Sequence, residues 1–300
     1  MNSVILVTGA NGQVGRSIVG SAPSANVSVV GLTRDDLDIT NSRMVAEAFE
    51  KYKPAVLINA AAYTAVDKAE SDSIQAYTIN EIGPETLAQA CERAKIPLLH
   101  ISTDYVFNGS SNRPYTELDE VQPLGVYGRS KEAGEQAVRK SLTEHIILRT
   151  SWVYSHDGAN FVKTMIRLGQ DRAELSVVDD QVGGPTSSEG IAQVLMKITL
   201  QYLSGKPVEW GTYHYSGVPH VSWYEFAEEI IAQAHEIGLI TGRPKVTPIP
   251  SSQFPTPVER PKNSSLSSEK IAESFNVAPE NWRQSLQQVL HNLLNTGQHR

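Results

Sequence analysis

A short apolar run followed at once by a glycine-rich loop opens the chain. Residues 4–7 are Val, Ile, Leu and Val, and such a run of mostly branched residues predicts a buried strand. Gly9, Gly12 and Gly15 come next, and they permit a tight turn and a close approach of the backbone to phosphate. The segment after them suits a helix, whose first amides can bind a pyrophosphate. This context predicts a dinucleotide-binding loop rather than an ordinary glycine-rich turn.

Strand-like and helix-like segments then alternate to about residue 150. The predicted strands are residues 4–8, 27–32, 55–59, 97–102 and 146–150, and the predicted helices are residues 13–19, 42–51, 79–94 and 127–140. This order predicts an α/β fold of the Rossmann type, a doubly wound parallel sheet. We therefore expect an NAD(P)-binding Rossmann domain over residues 1–150. Residues 151–300, which end in a predicted helix over 282–294, are expected to form mainly a smaller substrate-binding lobe. A return of some of these segments to the sheet stays open.

Ligands of such sheets bind beyond the carboxyl ends of the strands. The glycine loop, residues 59–63 and residues 102–104 each follow a predicted strand, so we expect them to face one crevice. The candidate cofactor contacts at these positions are Gly9, Asn11, Gly12, Gly15 and Ala61.

Tyr127 and Lys131 stand four residues apart, on one face of a predicted helix. An ammonium beside a phenol lowers the pKa of the phenol, which would make Tyr127 a usable proton donor near neutral pH. Thr103, at the end of a predicted strand, could orient a ketone oxygen by hydrogen bonding. Together with a dinucleotide site, this trio predicts hydride transfer to a carbonyl carbon, with Tyr127 as general acid. Lys131 would also hydrogen-bond the nicotinamide ribose.

The end of the second predicted strand bears on the choice of cofactor. Sites for NAD usually carry an acidic residue there, whereas this chain has Arg34, which could meet a 2′-phosphate. We therefore favour NADPH. Asp35, Asp36 and Asp38 lie just beyond and keep NADH open, and Arg34 as a plain surface charge is the alternative.

Charge and composition exclude several other classes of protein. The net charge of the 300 residues is −7, which argues against a nucleic-acid partner. No apolar run approaches the ~18 residues of a membrane span, so no membrane partner is expected. Cys91 is the single cysteine, which rules out an internal disulfide and suits a reducing cytoplasm. A first strand so close to Met1 predicts that no signal peptide precedes it.

Longer motifs make the chain similar to one family. They are residues 59–70, 102–107, 149–154, 180–186 and 260–264. With the glycine loop and the pair Tyr127 and Lys131, they resemble the dTDP-4-dehydrorhamnose reductases of the extended short-chain dehydrogenase/reductase class. The resemblance implies reduction of the C4 ketone of dTDP-4-dehydro-6-deoxy-L-mannose, with hydride from NADPH or NADH. It also implies contacts of Tyr127 and Lys131 with the nicotinamide ribose. The other cofactor contacts that it implies are Gly12, Gln13, Val14, Asp38, Ile39, Ala62, Tyr63 and Thr64.

On the substrate side, the resemblance implies contacts with the dTDP-sugar at Thr103, Asp104 and Trp152. Arg260 is a further candidate, for the pyrophosphate, because a guanidinium can bind phosphate in a bidentate manner. The alternatives are a core aromatic for Trp152 and a structural salt bridge for Arg260.

One departure from the family concerns metal. Some members dimerise through a magnesium site built from three glutamates per subunit, of which only Glu189 is matched here. Ser17 and Asn292 occupy the other two positions, so we predict no metal site and either a monomer or a homodimer held differently.

Three other functions stay open. A nucleotide-sugar dehydratase would need a second acid after Asp104, where this chain has Tyr105. A regulatory subunit that only binds a dinucleotide would not need the proton donor. Reduction of another nucleotide 4-keto-sugar would need the same residues.

Overall fold

Twelve strands and eleven α-helices make up the computed structural model, which describes residues 3–21 and 27–297. In these residues the strands are β1 (Ser3–Thr8), β2 (Val27–Leu32), β3 (Val56–Asn59), β4 (Leu98–Thr103), β5 (His145–Thr150), β6 (Val153–Tyr154), β7 (Glu174–Val178), β8 (Val182–Gly183), β9 (Thr186–Ser187), β10 (Gly211–His214), β11 (Val221–Ser222) and β12 (Lys245–Ile249). The helices are α1 (Gln13–Gly20), α2 (Ser42–Tyr52), α3 (Val66–Ala69), α4 (Ser73–Tyr77), α5 (Gly83–Ala94), α6 (Val126–Ser141), α7 (Phe161–Asp171), α8 (Ser188–Leu203), α9 (Trp223–Glu236), α10 (Glu269–Phe275) and α11 (Trp282–Thr296).

Six parallel strands form the central sheet, in the order β10-β5-β4-β3-β1-β2. Neighbouring residues on a strand point to opposite faces of the sheet, so each strand contributes side chains to the apolar cores on both faces. Leu6, Leu57 and Leu98 pack against α2 and α5 on one face. Ile5 and Ile58 pack against α1 and α8 on the other. Helices therefore cover both faces, and the predicted doubly wound Rossmann-type sheet is confirmed.

A second group of elements from residues 151–297 has its own apolar core. Helices α7, α9 and α11 pack together there, and α9 also covers the two-stranded sheet of β7 and β12. The same half of the chain supplies β10, which extends the central sheet beside β5.

The predicted elements agree with the structure in position and differ at their ends. The five predicted strands are each found within one residue of the observed bounds. The predicted helix over 79–94 differs more, because α4 and a π-helical turn over Thr78–Ile82 lead into α5 without a break. The helical stretch therefore begins at Ser73, and strand β10 had no counterpart among the predicted elements.

Candidate active site

The glycine loop joins β1 to α1 at the carboxyl edge of the sheet. Gly9 has a φ of +70°, in the left-handed region, and a Cβ there would overlap the backbone at Ala61. Gly12 directly precedes α1, and no side chain of the described residues caps that end of the helix. The first amides of α1 are thus available to a ligand, as the predicted phosphate loop requires.

A cavity lies beside this loop and unites most of the predicted cofactor residues. Those that line it are Gly9, Asn11, Gly12, Arg34, Asp38, Ile39, Ala61 and Ala62. It is also lined by residues that the sequence analysis missed: Thr33, Leu37, Thr40, Ala60, Gln75 and Ile79. Gln75 and Ile79 lie on the irregular helical stretch after Ser73, which no motif marks.

Other predicted cofactor residues lie outside the walls of this cavity. Gln13 accepts a hydrogen bond from Asn160 Nδ2 at 3.0 Å. Val14 and Gly15 are buried in α1. Tyr63 lies beside Tyr127 in a small apolar cluster, and Thr64 is exposed. Their cofactor contacts stay predictions.

At the end of β2, the carboxylates are tied to their own loop. Asp36 accepts hydrogen bonds from the amide and hydroxyl of Thr33, at 2.9 and 2.8 Å. Asp38 accepts the same pair from Thr40, at 2.9 and 2.8 Å. Arg34 is exposed, lines the cavity and forms no ion pair with any described residue. The cavity wall therefore carries one cationic side chain, Arg34, among the described residues.

Tyr127 and Lys131 lie one turn apart at the start of α6, as predicted. The Lys131 amine donates to the carbonyl oxygen of Ile101 at 2.8 Å, and no hydrogen bond joins it to Tyr127 within the described part of the chain. Burial raises the pKa of the Tyr127 phenol, and a hydrogen bond with Thr103 opposes that rise. The pKa of Tyr127 is therefore raised rather than lowered as expected, because burial outweighs the effects that lower it.

Thr103 connects the phenol to a buried carboxyl group. The Thr103 hydroxyl donates to Asp104 Oδ1 at 2.9 Å. The Tyr127 phenol hydrogen-bonds to the Thr103 side chain. Burial raises the pKa of Asp104 to about 6, although hydrogen bonds from Ser264 and Thr103 lower it. Thr103, Asp104 and Tyr127 are thus brought together in one hydrogen-bonded group.

A residue missed by the sequence analysis holds α6 to the segment that follows β3. Asn80 is buried in the π-helical turn, accepts a hydrogen bond from the Tyr63 amide at 2.8 Å and donates to the Tyr63 carbonyl at 3.0 Å. It also donates to Ser130 Oγ at 2.9 Å. Asn80 therefore fixes the distance between the Tyr127 helix and the wall of the cavity. No local sequence signal separates it from an ordinary helical asparagine.

Trp152 follows β5 in an unusual backbone conformation. Its φ is +48°, which residues with a side chain seldom adopt. The indole stacks on Trp223, with 3.5 Å between ring centroids and 7° between planes. Gly183 faces this ring so closely that a Cβ would overlap it. Trp152 as a whole is only partly buried.

Arg260 is engaged within the protein. Its guanidinium forms a 2.8 Å ion pair with Asp67 and donates to the Tyr105 hydroxyl at 3.2 Å. The ring of Tyr105 in turn packs edge-on against Tyr127, with centroids 5.5 Å apart. The structural salt bridge named as an alternative is present, and the pyrophosphate contact stays a prediction.

The three positions of the family's magnesium site line one surface cavity. Ser17 hydrogen-bonds to Ser188 at 2.7 Å, Glu189 Oε1 lies 3.1 Å from His156 Nδ1, and Asn292 contributes to the wall. Across residues 3–21 and 27–297, no group of three or more His, Cys, Asp or Glu side chains could hold a metal ion. In the same residues, no helix has the length and apolar character to cross a membrane.

The sheet, the glycine loop and the Tyr127–Lys131 pair together define a Rossmann-fold protein of the extended short-chain dehydrogenase/reductase class. The family model described as the RmlD substrate binding domain matches residues 1–295. The chain therefore belongs to the RmlD family, the dTDP-4-dehydrorhamnose reductases.

Individual relatives agree with this assignment. The chain is 43% identical to the dTDP-4-dehydrorhamnose reductase of Aggregatibacter actinomycetemcomitans, over 95% of this chain and 97% of that protein. It is 37% identical to that of Escherichia coli strain K12, over 97% and 98%.

Solved structures named dTDP-4-dehydrorhamnose reductase share the fold closely. A Clostridium acetobutylicum protein has a TM-score of 0.89 at 42% identity, over 97% of this chain and 99% of the other. A Bacillus anthracis protein in complex with NADP has a TM-score of 0.89 at 36% identity, over 97% and 100%. A UDP-glucose 4-epimerase of Thermus thermophilus, 18% identical with a TM-score of 0.79, shares the fold alone.

Proposed function

We propose that this protein reduces the C4 ketone of dTDP-4-dehydro-6-deoxy-L-mannose to give dTDP-L-rhamnose, with hydride from a nicotinamide dinucleotide and a proton from Tyr127. The observation that carries the proposal is the hydrogen-bonded group of Tyr127, Thr103 and Asp104. It occurs in the same chain as a cavity at the glycine loop, and Asn80 joins the Tyr127 helix to Tyr63, next to the cavity residue Ala62. The substrate follows from membership of the RmlD family.

Tyr127 acts as the general acid in this proposal. Burial raises the pKa of its phenol, so Tyr127 carries its proton at neutral pH and can donate it to the oxygen that gains charge as hydride arrives. The phenolate left behind is stabilised by the positive charge of Lys131, one helical turn away. Thr103 orients the ketone oxygen. When Asp104 is protonated, it can donate to Thr103 Oγ1, which frees the Thr103 hydroxyl hydrogen for this contact.

NADPH is the preferred cofactor in this proposal. Arg34 is the unpaired cation at the cavity wall among the described residues, and a guanidinium there suits a 2′-phosphate. One oxygen of Asp36 and one of Asp38 accept hydrogen bonds from Thr33 and Thr40, which hold both carboxylates against their own loop. The Bacillus anthracis relative was crystallised with NADP, which is in line with this choice.

The wall for the sugar nucleotide is formed by Thr103, Asp104 and Trp152, with Arg260 at the rim. We propose a monomer, or a homodimer that does not depend on magnesium, because Ser17 and Asn292 replace carboxylates. A chelator should then change neither the mass in solution nor the activity.

Replacing Tyr127 with Phe tests the reaction directly. We expect the variant to lose about 10²–10⁴-fold in kcat, the usual contribution of a general acid, while it still binds NADPH. The assay supplies the keto-sugar through the upstream enzymes and follows NADPH absorbance, with dTDP-L-rhamnose identified as product.

Tyr105→Phe is the matched control, because it removes a neighbouring phenol that contacts Arg260 rather than Thr103. It should keep most of the activity. Wild-type turnover in Tyr127→Phe would refute the proposed role. NADPH oxidation only with another keto-sugar would keep the chemistry and change the substrate, and NADPH binding without any turnover would favour a regulatory subunit.

A further inference from the structure

A line of buried polar side chains crosses the carboxyl edge of the sheet beneath the cofactor segment. Thr8 Oγ1 donates to Asn59 Oδ1 at 2.7 Å, and Asn59 Nδ2 lies 2.9 Å from His100 Nδ1. His100 Nε2 lies 3.5 Å from Lys131 Nζ. All four side chains are at most 2% exposed, so each hydrogen bond in the line has a large effect on its neighbours. The line connects the start of the glycine loop to Lys131.

One backbone amide sets the direction of this line. The amide of Ala61 donates to Asn59 Oδ1 at 3.0 Å, and an N–H group cannot accept in return. The Asn59 carbonyl oxygen is therefore fixed toward Ala61, and its NH₂ group faces His100. Since that NH₂ group only donates, His100 Nδ1 must accept. A neutral imidazole with an accepting Nδ1 carries its proton on Nε2.

The Nε2–H group of His100 then points at the amine of Lys131. Both groups are donors when the lysine is an ammonium, which explains why this contact is the longest in the line. The amine turns instead to the carbonyl oxygen of Ile101, 2.8 Å away. A neutral Lys131 amine could accept a hydrogen bond from His100 Nε2–H and still donate to the carbonyl oxygen of Ile101.

We propose that His100 is a positioning residue for Lys131. Asn59 holds His100 as the Nε2–H tautomer, and this N–H group opposes protonation of the lysine amine. This rests on the proposed function, in which Lys131 supports Tyr127. Among the described residues, the ring nitrogens of His100 are paired with Asn59 and Lys131 and not with the Tyr127 phenol. His100 is not one of the residues that line the cavity at the glycine loop. Its effect on the reaction passes through the charge and place of the lysine.

The charged groups around the line act in both directions. Burial lowers the pKa of Lys131 to about 8, against the opposing effect of the Glu135 carboxylate on the same helix. Burial and the positive charge of Lys131 hold the pKa of His100 well below its usual value, so His100 stays neutral. The charged and titratable groups that act on the two residues are Glu135 and Arg139 on α6 and His145 on β5. Arg149 on β5 pairs with Glu135, and Tyr127 lies one helical turn from Lys131.

The consequence is an alkaline limit on turnover. Reduction leaves a phenolate at Tyr127, which needs the ammonium form of Lys131, so kcat should fall as pH rises through about 8. Removal of the opposing Nε2–H group should make protonation of the amine easier. The alkaline limb of kcat should then move to higher pH.

Two substitutions separate the two ends of the imidazole. His100→Asn places an amide where Nδ1 was, so it can keep the bond to Asn59 while it loses the group that faces Lys131. His100→Gln reaches the Nε2 position and can keep an N–H group toward the amine. We expect the alkaline limb of kcat to move up by about one pH unit in the Asn variant and by clearly less in the Gln variant. Equal limbs in both variants, at any common position, would overturn the proposal.

The tautomer can be read without turnover or substitution. In the ¹⁵N-labelled wild-type protein with NADPH bound, long-range ¹H–¹⁵N spectra should give His100 a protonated Nε2 and an unprotonated Nδ1 from about pH 6 to pH 9. The signal is assigned by its absence in His100→Gln. A protonated Nδ1, or an imidazolium in this range, would overturn the proposal even if the Asn variant fails to fold. These results are independent of Tyr127→Phe, whose retained activity would instead refute the proposed function.

Discussion

The side of the site proposed for the cofactor is held by buried hydrogen bonds, whereas Trp152 and Arg260, proposed for the substrate, are held by ring stacking and an ion pair. On the cofactor side, Asn59, Asn80 and His100 are almost completely buried and fix the loop after β3 and helix α6 in one geometry. On the substrate side, Trp152 stacks on Trp223 and Arg260 pairs with Asp67, and all four are partly exposed.

This difference has a physical consequence for substitution. A buried hydrogen bond is directional, and its loss leaves a donor or acceptor without water, at about 1–3 kcal/mol. Stacked rings and exposed ion pairs tolerate small shifts, and an exposed pair contributes at most about 1 kcal/mol. We therefore expect substitutions on the cofactor side to affect folding and the rate of the chemical step. Substitutions on the substrate side should mainly change KM for the sugar.

The strongest test of this comparison is Glu135→Gln, beneath Lys131. Glu135 accepts from Arg149 Nε at 2.9 Å and Nη2 at 2.6 Å, and both side chains are buried. Removal of one partner from a buried pair typically costs about 3–5 kcal/mol in the free energy of unfolding. Denaturant unfolding at pH 7 measures the loss. Glu229→Gln, which breaks the partly exposed pair with Arg283, is the control and should cost less than about 1 kcal/mol.

The pH dependence of that loss has a definite sign. Burial raises the pKa of Glu135, but Arg149 and Arg139 lower it by more than that. The pKa is about 2, below the ordinary 4.5. A carboxylate with a lowered pKa stabilises the fold above its unfolded pKa and loses that effect as pH falls toward the folded one. The difference between wild type and Glu135→Gln should be constant above about pH 5 and shrink below it. A difference that grows in acid would contradict the ion-pair explanation.

Trp223→Leu should give a smaller, differently distributed effect. The substitution removes the ring that supports Trp152, and stacking is worth about 0.5–1.5 kcal/mol. We expect KM for the keto-sugar to rise up to about tenfold, with kcat and the KM for NADPH nearly unchanged. Steady-state kinetics measure this, with Trp210→Leu, whose ring packs on Tyr202, as control. A fall in kcat at constant KM would mean that the two sides of the site are not separable.

Arg34→Ala should have the smallest effect, because the side chain is exposed and its charge is screened by salt. We expect KM for NADPH to rise about threefold to fivefold while KM for NADH stays constant. Arg43→Ala on α2, which is paired with Glu47, controls for the change in net charge. An equal rise for both cofactors would remove the 2′-phosphate contact proposed for Arg34.

Sequence reasoning placed the elements of the Rossmann half well because its signals are local. The apolar run before Gly9 and the strand before Thr103 can each be recognised from a few consecutive residues. The five predicted strands lie within one residue of the observed bounds. Strand β10 was missed because Gly211–His214 is not an apolar run like β3, which has the same length, and only its pairing with β5 makes it part of the sheet. The residues of the hydrogen-bonded trio were likewise predictable, since Tyr127, Thr103 and Asp104 lie in recognisable motifs.

The pKa values within that trio could not be predicted from the sequence. The spacing of Tyr127 and Lys131 predicts a lowered phenol pKa, but burial acts in the opposite direction, and burial is a property of the packed molecule. The partners His100, Asn80 and Asn59 lie 31, 51 and 72 residues before Lys131 in the chain, and no local pattern indicates that they meet.

Local order along the chain therefore determined the class of fold, the phosphate loop and the identity of the groups that could move a proton, because propensity and periodicity act between near neighbours. The tertiary structure alone decided which way Asn59 points, which nitrogen of His100 carries hydrogen and which ring supports Trp152. Those outcomes depend on contacts between distant segments, and a buried polar atom takes its character from whatever group the fold places beside it.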